Sequence, residues 1–434
     1  MTRACIVQLP FPSTLDPDPD LSAYYVDYDR QYRARIPEYF VPSEGLWELP
    51  LWVAHLTALL DVVGLDSVFC NLSTVSVDEA GCTERILSAT AAGDMVLLSP
   101  LAQNFDLALG VARRLGAAGR LVVIGGNMAP LTPPGAAHLV HRGQLDVGFA
   151  RRLASAQGVT SRPAVRGLVA NRIDWIPNYR HLVGYSGRVP LIRINASHGC
   201  LYECSFCGDA WSRQLTLVEL PALAAELDEL ARRFPDVKLV YVGDKTFGQS
   251  RQAVENLLQV FADRPGYRMI VQTHVLQVRD WVLRAMRSLG VVVAELGFES
   301  ADTGMLASMD KRSRGLEHYA DRIQALRESG IRVILNLMGG LDEETERSHE
   351  LTVTWLEDHS SLLWLFNVYN FVPYPLAPGF AHIRGRIFNW RYADWREDAP
   401  PVYAPRHVTA ERSWEMFKAK VAVAHRIVRE SAAG

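Results

Sequence analysis

The chain has 434 residues, 49% hydrophobic and 21% charged, with 45 basic against 48 acidic side chains for a formal net charge of -3. This balance excludes a disordered or low-complexity chain, and the near-zero charge removes a bulk electrostatic case for nucleic acid or an anionic membrane as partner. No window approaches the apolar length of a membrane span, and the opening MTRACIVQLP lacks the apolar run of a signal peptide, so a cytoplasmic enzyme is the starting expectation.

In chain order, the first 45 residues, rich in Tyr, Asp and Pro, read as an irregular surface segment, with a lid or docking role as the sharper alternative. Leu51–Gly64 then reads as an apolar helix, Ser67–Ser73 as a strand, Glu84–Gly93 as a helix and Met95–Ser99 as a strand. Phe105–Gly119 is an amphipathic helix, with Leu107, Val111 and Leu115 at helical spacing, and Leu121–Gly126 is a buried strand ending in a glycine pair. Strands alternating with helices predict a parallel sheet wound on both faces. Ligands of such sheets lie beyond the carboxyl ends of the strands, here Ser99 to Asn104 and Gly125 to Met128. A connector without clean periodicity follows, at 156–186.

A second alternating series runs from Val189 to Pro375. Its strands are Val189–Ala196, Val237–Asp244, Tyr267–Val275, Val291–Ser300, Ile331–Gly340 and Leu363–Pro375. Its helices include Leu217–Phe234, Ala253–Arg264, Asp280–Gly290, Gly315–Gly330 and Ser348–His359. Such a series predicts a barrel-like parallel sheet with its site at the carboxyl ends of the strands. The tail adds NWRYADW and a final helix near Ala410 to Glu430.

The cysteines are Cys5, Cys70, Cys82, Cys200, Cys204 and Cys207, too few for a disulfide scaffold in a chain this long. The first three read as small core residues. The last three form C-x3-C-x2-C directly after the first strand of the second series, flanked by Gly199 and Gly208. Three thiolates on one short loop can hold three corners of a cubane cluster and leave one iron open to an outside ligand. A structural zinc site needs a second ligand pair, which the sequence does not offer nearby.

This motif, at this place in a (β/α)6-type barrel, resembles the radical S-adenosylmethionine (SAM) superfamily. The resemblance covers about residues 187–380. It implies that Cys200, Cys204 and Cys207 hold a [4Fe-4S] cluster whose fourth iron is chelated by SAM, and that one-electron cleavage of SAM yields a radical that abstracts hydrogen from substrate. It also implies that Phe206, just before the third cysteine, packs against the adenine end of SAM. Carried over one at a time, Asp244 stands where a carboxylate often meets the methionine amine, in Gly243-Asp244-Lys245-Thr246 rather than the usual Gly-Gly-Glu. Gln272, Thr273 and His274 stand where polar groups meet the ribose or carboxylate, and Glu299 in GFES where a glutamate reaches the ribose. Met338, Gly339 and Gly340 match the glycine-rich approach to adenine.

The preceding domain, 1–155, resembles the cobalamin (B12)-binding domain of one subclass of that superfamily, giving an overall α/β architecture: a doubly wound Rossmann-like domain, the connector, a (β/α)6 partial TIM barrel over 187–380 and a C-terminal segment, 381–434. Ser99, Gln103, Asn104, Gly125 and Gly126 are then the candidate corrin contacts. No Asp-x-His-x-x-Gly is present, and the usual acidic Gly-Glu-rich stretch is replaced by QLDVGFARRLAS. The resemblance implies cobalamin-dependent C-methylation of a small molecule. The rival is cobalamin-free dehydration or epimerisation of a sugar or aminocyclitol, with Tyr202, Glu203, Asp209, Lys245 and Tyr369 as proton-handling candidates by position. A non-catalytic iron–sulfur carrier or redox sensor is the alternative from another class. The chemistry also implies an external reductant of flavodoxin or ferredoxin type, and no nucleic-acid or membrane partner.

Overall fold

In the computed structural model every residue is described except 1–2, 12–17, 38–48, 74, 76–77, 159–171, 186–188, 210–213 and 434. Parts of the expected irregular N-terminal segment and of the connector therefore lie outside the described residues.

The first alternating series builds β1 (Arg3–Gln8), α1 (Pro19–Arg35), α2 (Leu51–Val63), β2 (Asp66–Asn71), α3 (Glu79–Ala89), β3 (Met95–Leu98), α4 (Phe105–Ala117), β4 (Leu121–Ile124), β5 (Leu139–Val140) and α5 (Val147–Ala156). Its sheet is parallel throughout, in the order β2-β1-β3-β4-β5. The two-residue repeat of a strand sends alternate side chains to opposite faces. Ala4 and Ile6 of β1 thus join the core that holds α2 and α5, while Cys5 and Val7 join the core that holds α3 and α4. Helices on both faces are as expected. The α2 helix stops where expected, at Gly64, whose φ of 81° is open to glycine at little cost.

The N-terminal segment departs from expectation twice. Arg3–Gln8 is not irregular but supplies a central strand of the sheet. Residues 19–35 form α1, capped by Asp18, whose side chain accepts from the Asp20 and Leu21 amides.

The second series comprises β6 (Arg172–Ile173), β7 (Ile192–Ile194), β8 (Ser197–His198), β9 (Thr216–Val218), α6 (Leu220–Arg233), β10 (Leu239–Val242), α7 (Arg251–Phe261), β11 (Arg268–His274), α8 (Asp280–Ser288), β12 (Val291–Glu299), α9 (Thr303–Ser308), α10 (Leu316–Glu328), β13 (Arg332–Gly339), α11 (Glu346–Asp358) and β14 (Leu365–Asn370). After them come α12 (Phe380–Ile383) and α13 (Ala410–Ala433). Six parallel strands stand in the order β14-β13-β12-β11-β10-β7. The expected helix start at Leu217 is corrected: Thr216–Val218 is a strand in a small sheet with β6 and β8, and the helix begins at Leu220 with Pro221 in its first turn.

The barrel is open, because β14 and β7 do not pair with each other. An open edge exposes unpaired backbone groups, and α1 covers this one with tyrosines. Tyr24 donates its hydroxyl to the Phe366 carbonyl at 2.5 Å, Tyr25 to the Val368 carbonyl at 3.1 Å and Tyr28 to Asn367 Oδ1 at 3.2 Å. The segment is thus an edge cover for the second sheet. The aromatic tail sequence packs against the first series: Trp395 is fully buried, and Tyr392 meets the Phe105 ring edge-on at 5.0 Å while its amide donates to Asp106 of α4. None of the described helices is long and apolar enough to cross a membrane.

Tyr24→Phe, which deletes one buried hydrogen bond, is expected to lower the unfolding free energy by about 1 kcal/mol, and Tyr24→Ala by about 3–5 kcal/mol through the cavity it adds. Urea unfolding of both variants checks this; equal stability of Tyr24→Ala and wild type would remove α1 as the edge cover.

Candidate functional site

The cysteine loop is anchored by a buried carboxylate. Asp244, just past β10, accepts the Ala196 and Ser197 amides on Oδ1 (2.7 and 3.0 Å) and the Ser197 hydroxyl on Oδ2 (2.6 Å). Burial pushes its pKa up to about 6, with the three donors opposing. Both oxygens are spent on the chain, so Asp244 fixes the direction in which the loop leaves β8; the sequence-based expectation had been a ligand carboxylate. Gly199 follows at φ 92°, where a Cβ would land on the Gln214 carbonyl. Gln249 clamps the entry, donating to the Gly199 carbonyl and accepting the Leu201 amide, both at 3.1 Å.

Among the three thiols Cys204 is buried, while Cys200 and Cys207 are half-buried. Cys200 Sγ receives the Tyr202 amide at 3.5 Å and lies 3.6 Å from the Thr246 hydroxyl. Burial pushes the Cys204 thiol up to about 11 and the Cys207 thiol to about 12, so both are protonated as free thiols and would give up protons to a metal. Among the described residues no three His, Cys, Asp or Glu side chains converge on a single ion. A cubane asks for something else, one thiolate on each of three irons. Asp209 and Lys245 pair at 2.8 Å, both half-exposed, tying the loop's exit to the end of β10. Phe206 packs in the cluster that holds Met338 and Tyr374. The Tyr202 ring stacks on His274 at 4.2 Å, and its hydroxyl accepts from Gln277 at 2.8 Å. His274 Nδ1 accepts the Leu276 amide, and burial pushes the ring's pKa down to about 2, so it is neutral. Thr273 is turned away, donating to the Phe247 carbonyl at 2.8 Å.

Glu299, at the end of β12, has φ 67°, a left-handed conformation unusual for a glutamate and a mark of functional sites. Lys311, which the sequence reading missed, binds its Oε1 at 3.0 Å, and both side chains are nearly inaccessible. The Glu299 charge holds the Lys311 ammonium well above the ordinary lysine range against the opposing effect of burial, and Lys311 in turn favours the Cys204 thiolate. Nothing in the sequence marks this lysine, since it lies in a loop with no family motif.

The strands enclose a polar lumen, also missed. On the helix-facing side Ile194, Val271, Leu296, Leu335 and Val368 are buried and apolar. On the other side Arg193, Gln272, Glu295, Asn367 and Tyr369 stay half-buried. Tyr241 donates to Glu295 at 2.9 Å beneath the Arg193 guanidinium, and Asn367 donates to Asn336 at 3.0 Å. The Gln272 amide and the Tyr369 hydroxyl make no hydrogen bond among the described residues. Burial, then the Glu295 charge, hold the Tyr369 phenol well above its ordinary range; it is a donor, not a base.

The glycines of Met338-Gly339-Gly340 are demanded by chain packing. A Cβ on Gly339 would lie 2.8 Å from the Phe417 ring of α13, and one on Gly340 would land on Asn370 Oδ1. Lys420 of α13, fully buried, donates to the Met338 carbonyl at 3.0 Å and pairs with Glu344. Met338 itself is half-buried on the lumen face.

In the first sheet, Gly126 has φ 81° and a Cβ there would lie 2.7 Å from Ser99 Oγ; Gly125 has room for one. Asn104 donates to the Leu9 and Pro10 carbonyls (3.5 and 3.3 Å), bracing the end of β1. Buried Gln103 Oε1, Asn104 Oδ1 and Thr132 Oγ1 have no partner among the described residues. His141 is buried, with Nε2 2.9 Å from the Gln144 carbonyl.

Residues 194–356 match the family described as "Radical SAM superfamily". The chain is 23% identical over 344 residues to bacteriochlorophyllide d C-12(1)-methyltransferase of Chlorobaculum tepidum, over 75% of this chain and 73% of that protein. Its fold is similar to that of TsrM from Kitasatospora setae, a radical S-adenosylmethionine methyltransferase solved with cobalamin and a [4Fe-4S] cluster, at a TM-score of 0.64 and 14% identity over 88% of this chain and 78% of that one. It is also similar to OxsB, a cobalamin-dependent S-adenosylmethionine radical enzyme, at a TM-score of 0.56 and 12% identity over 96% of this chain and 56% of that one.

Lys311→Met leaves Glu299 buried without its partner and is expected to cost roughly 3–5 kcal/mol, largely recovered in the Glu299→Gln/Lys311→Met double variant; chemical unfolding of the three variants measures this. Asp244 binds a proton on folding between its unfolded value of 3.8 and about 6. Its contribution is therefore fully present below 3.8 and lost as pH rises through about 6. Asp244→Asn should flatten that part of the stability–pH curve, and an unchanged slope would contradict the assignment.

Proposed function

We propose that this chain, whose residues 194–356 match the radical SAM superfamily, is a cobalamin-dependent radical SAM C-methyltransferase acting on a small polar molecule held in the barrel lumen. The observation that carries this reading is the C-x3-C-x2-C loop, anchored by Asp244 at the carboxyl ends of the strands and opening beside a half-buried polar lumen. The donor set fits a [4Fe-4S] cluster, with three thiols on one loop and Lys311 supplying positive charge beside Cys204. Glu299, His274, Gln272 and Met338 stand on the strand ends where SAM would lie, with Phe206 beside its adenine. The orphaned polar atoms of Gln103, Asn104 and Thr132, with the Ser99–Gly126 approach, fit the amide-rich rim of a corrin.

When bound, the cluster and SAM supply one-electron cleavage and hydrogen abstraction, and cobalamin supplies a methyl group. The chain's own residues do the rest. Arg193 and Glu295 present opposite charges to the lumen, and Gln272 and Tyr369 present free hydrogen-bonding groups, so a substrate bearing hydroxyl or amino groups is oriented by direct contacts. Tyr369 keeps its proton and positions a polar group. The similarity to methyltransferases supports the reaction class. Cobalamin-free dehydration or epimerisation of a sugar or aminocyclitol is the second reading, favoured by the same polar lumen with its free Tyr369 hydroxyl.

Anaerobic reconstitution with iron, sulfide and hydroxocobalamin, followed by desalting and metal analysis, is expected to retain about four irons and stoichiometric cobalt. Cys204→Ala should lose the iron and all SAM cleavage. Deoxyadenosine formed by Cys204→Ala at the wild-type rate would overturn the enzyme reading. Four irons without cobalt would turn the search to dehydrated or epimerised products.

A further inference from the structure

We propose that a recess at the amino ends of the barrel strands, opposite the cysteine loop, is a binding site for a small phosphate-bearing anion, held by Arg35, Arg327 and Arg332. The site goes beyond the functional reading above and does not depend on it.

The recess measures about 340 Å³, and its wall is drawn from separate parts of the chain. Arg35 lies in the last turn of α1 and Arg327 in the last turn of α10. Arg332 opens β13, and Ser360, Ser361 and Trp364 lie in the turn that leads into β14. All three arginines are exposed, and none forms an ion pair among the described residues. Partial burial, then the Arg35 and Arg327 charges, hold the Arg332 guanidinium below the ordinary arginine range. Glu430 of α13 is the one carboxylate among the described lining residues. Three positive charges therefore share the recess with a single negative one.

A helix C-terminus favours a cation, which accounts for Arg35 and Arg327 taken singly. It does not account for Arg332, which starts a strand and brings a third like charge to the same place. The rest of the wall supplies donors. Arg327 Nη1 donates to the Ser361 carbonyl at 2.5 Å, which holds its planar fork beside the two serines. The Ser360 and Ser361 hydroxyls make no hydrogen bond among the described residues. Trp364 is buried, and its Nε1–H has no partner among the described residues, although a buried donor is ordinarily paired. The Tyr32 ring of α1 stacks on Trp364 at 6.1 Å, which seats the end of α1, and so Arg35, at the recess. Guanidinium forks match the oxygens of a phosphate group, and the free hydroxyls add further donors. β13 runs for about 25 Å from Arg332 to its carboxyl end, so a small ligand here does not reach the cysteine loop. An anion bridging Arg35 to Arg327 and Arg332 ties α1, the cover of the open β14 edge, to the body of the barrel.

The test uses the reconstituted full chain without SAM, with inorganic phosphate and pyrophosphate as probes. Calorimetric titration at constant ionic strength is expected to show saturable binding. The melting temperature should rise with either probe and not with sodium chloride of matched ionic strength. Arg327→Gln/Arg332→Gln should weaken binding about tenfold or more and abolish the rise. Arg35→Gln, on a separate helix, should weaken binding as well, and it decides the matter if the double variant does not fold. No binding of either probe to the wild-type chain, binding equal in wild type and the glutamine variants, or a rise that sodium chloride reproduces would overturn the proposal. All of these readouts are independent of SAM cleavage, so a failure of the functional reading leaves the test intact.

Discussion

One buried ammonium sets the electrostatics of the site. Lys311 reaches inward, is almost completely removed from water, and is charged because Glu299 lies 3.0 Å away. The same charge favours the thiolate form of Cys204 and helps keep His274 neutral. A buried pair of this kind is poor evidence of stability, since desolvation offsets much of the attraction. It does fix geometry. Glu299 is held in a left-handed conformation at the end of β12, and the segment after α9 is held under the cysteine loop. The Glu299 carboxylate and the segment that braces the cysteine loop are therefore tied to one interaction.

A second constraint comes from the open barrel. The β14 edge is covered by α1, from the far N-terminus, and α13, from the far C-terminus, packs beside it. Both also reach the site. Tyr28 of α1 binds Asn367, a lumen residue, and Lys420 of α13 binds the Met338 carbonyl at the strand end. Elements that hide an unpaired edge thus also shape the cavity, which links the chain's two ends to its chemistry.

Much of this was legible in the sequence. Apolar periodicity located the helices, the strand–helix alternation gave two parallel sheets, and three cysteines at fixed spacing marked the loop. What escaped has physical reasons. β1 stands at the head of a Tyr-, Asp- and Pro-rich segment, with no preceding helix to mark the strand–helix alternation that revealed the other strands. Helix α1 has almost no apolar stripe, because tyrosine hydroxyls rather than aliphatic side chains make its key contacts. Asp244 looked like a ligand because sequence does not show that two amides and a hydroxyl already occupy it. Gly339 and Gly340 looked like a close approach to a cofactor, whereas Phe417 and Asn370 explain them. Lys311, Arg193 and Glu295 belong to no motif, and only the fold shows that they meet.

The central claim is that the cysteine loop holds a cluster with one iron left open for SAM. Electron paramagnetic resonance of the reconstituted, reduced protein, recorded with and without SAM labelled in its methionine amine and carboxylate, tests this most directly. The account predicts a spin-half cluster signal that shifts on adding SAM and shows coupling to the label. A signal indifferent to SAM, or the spectrum of a single metal ion, would contradict it.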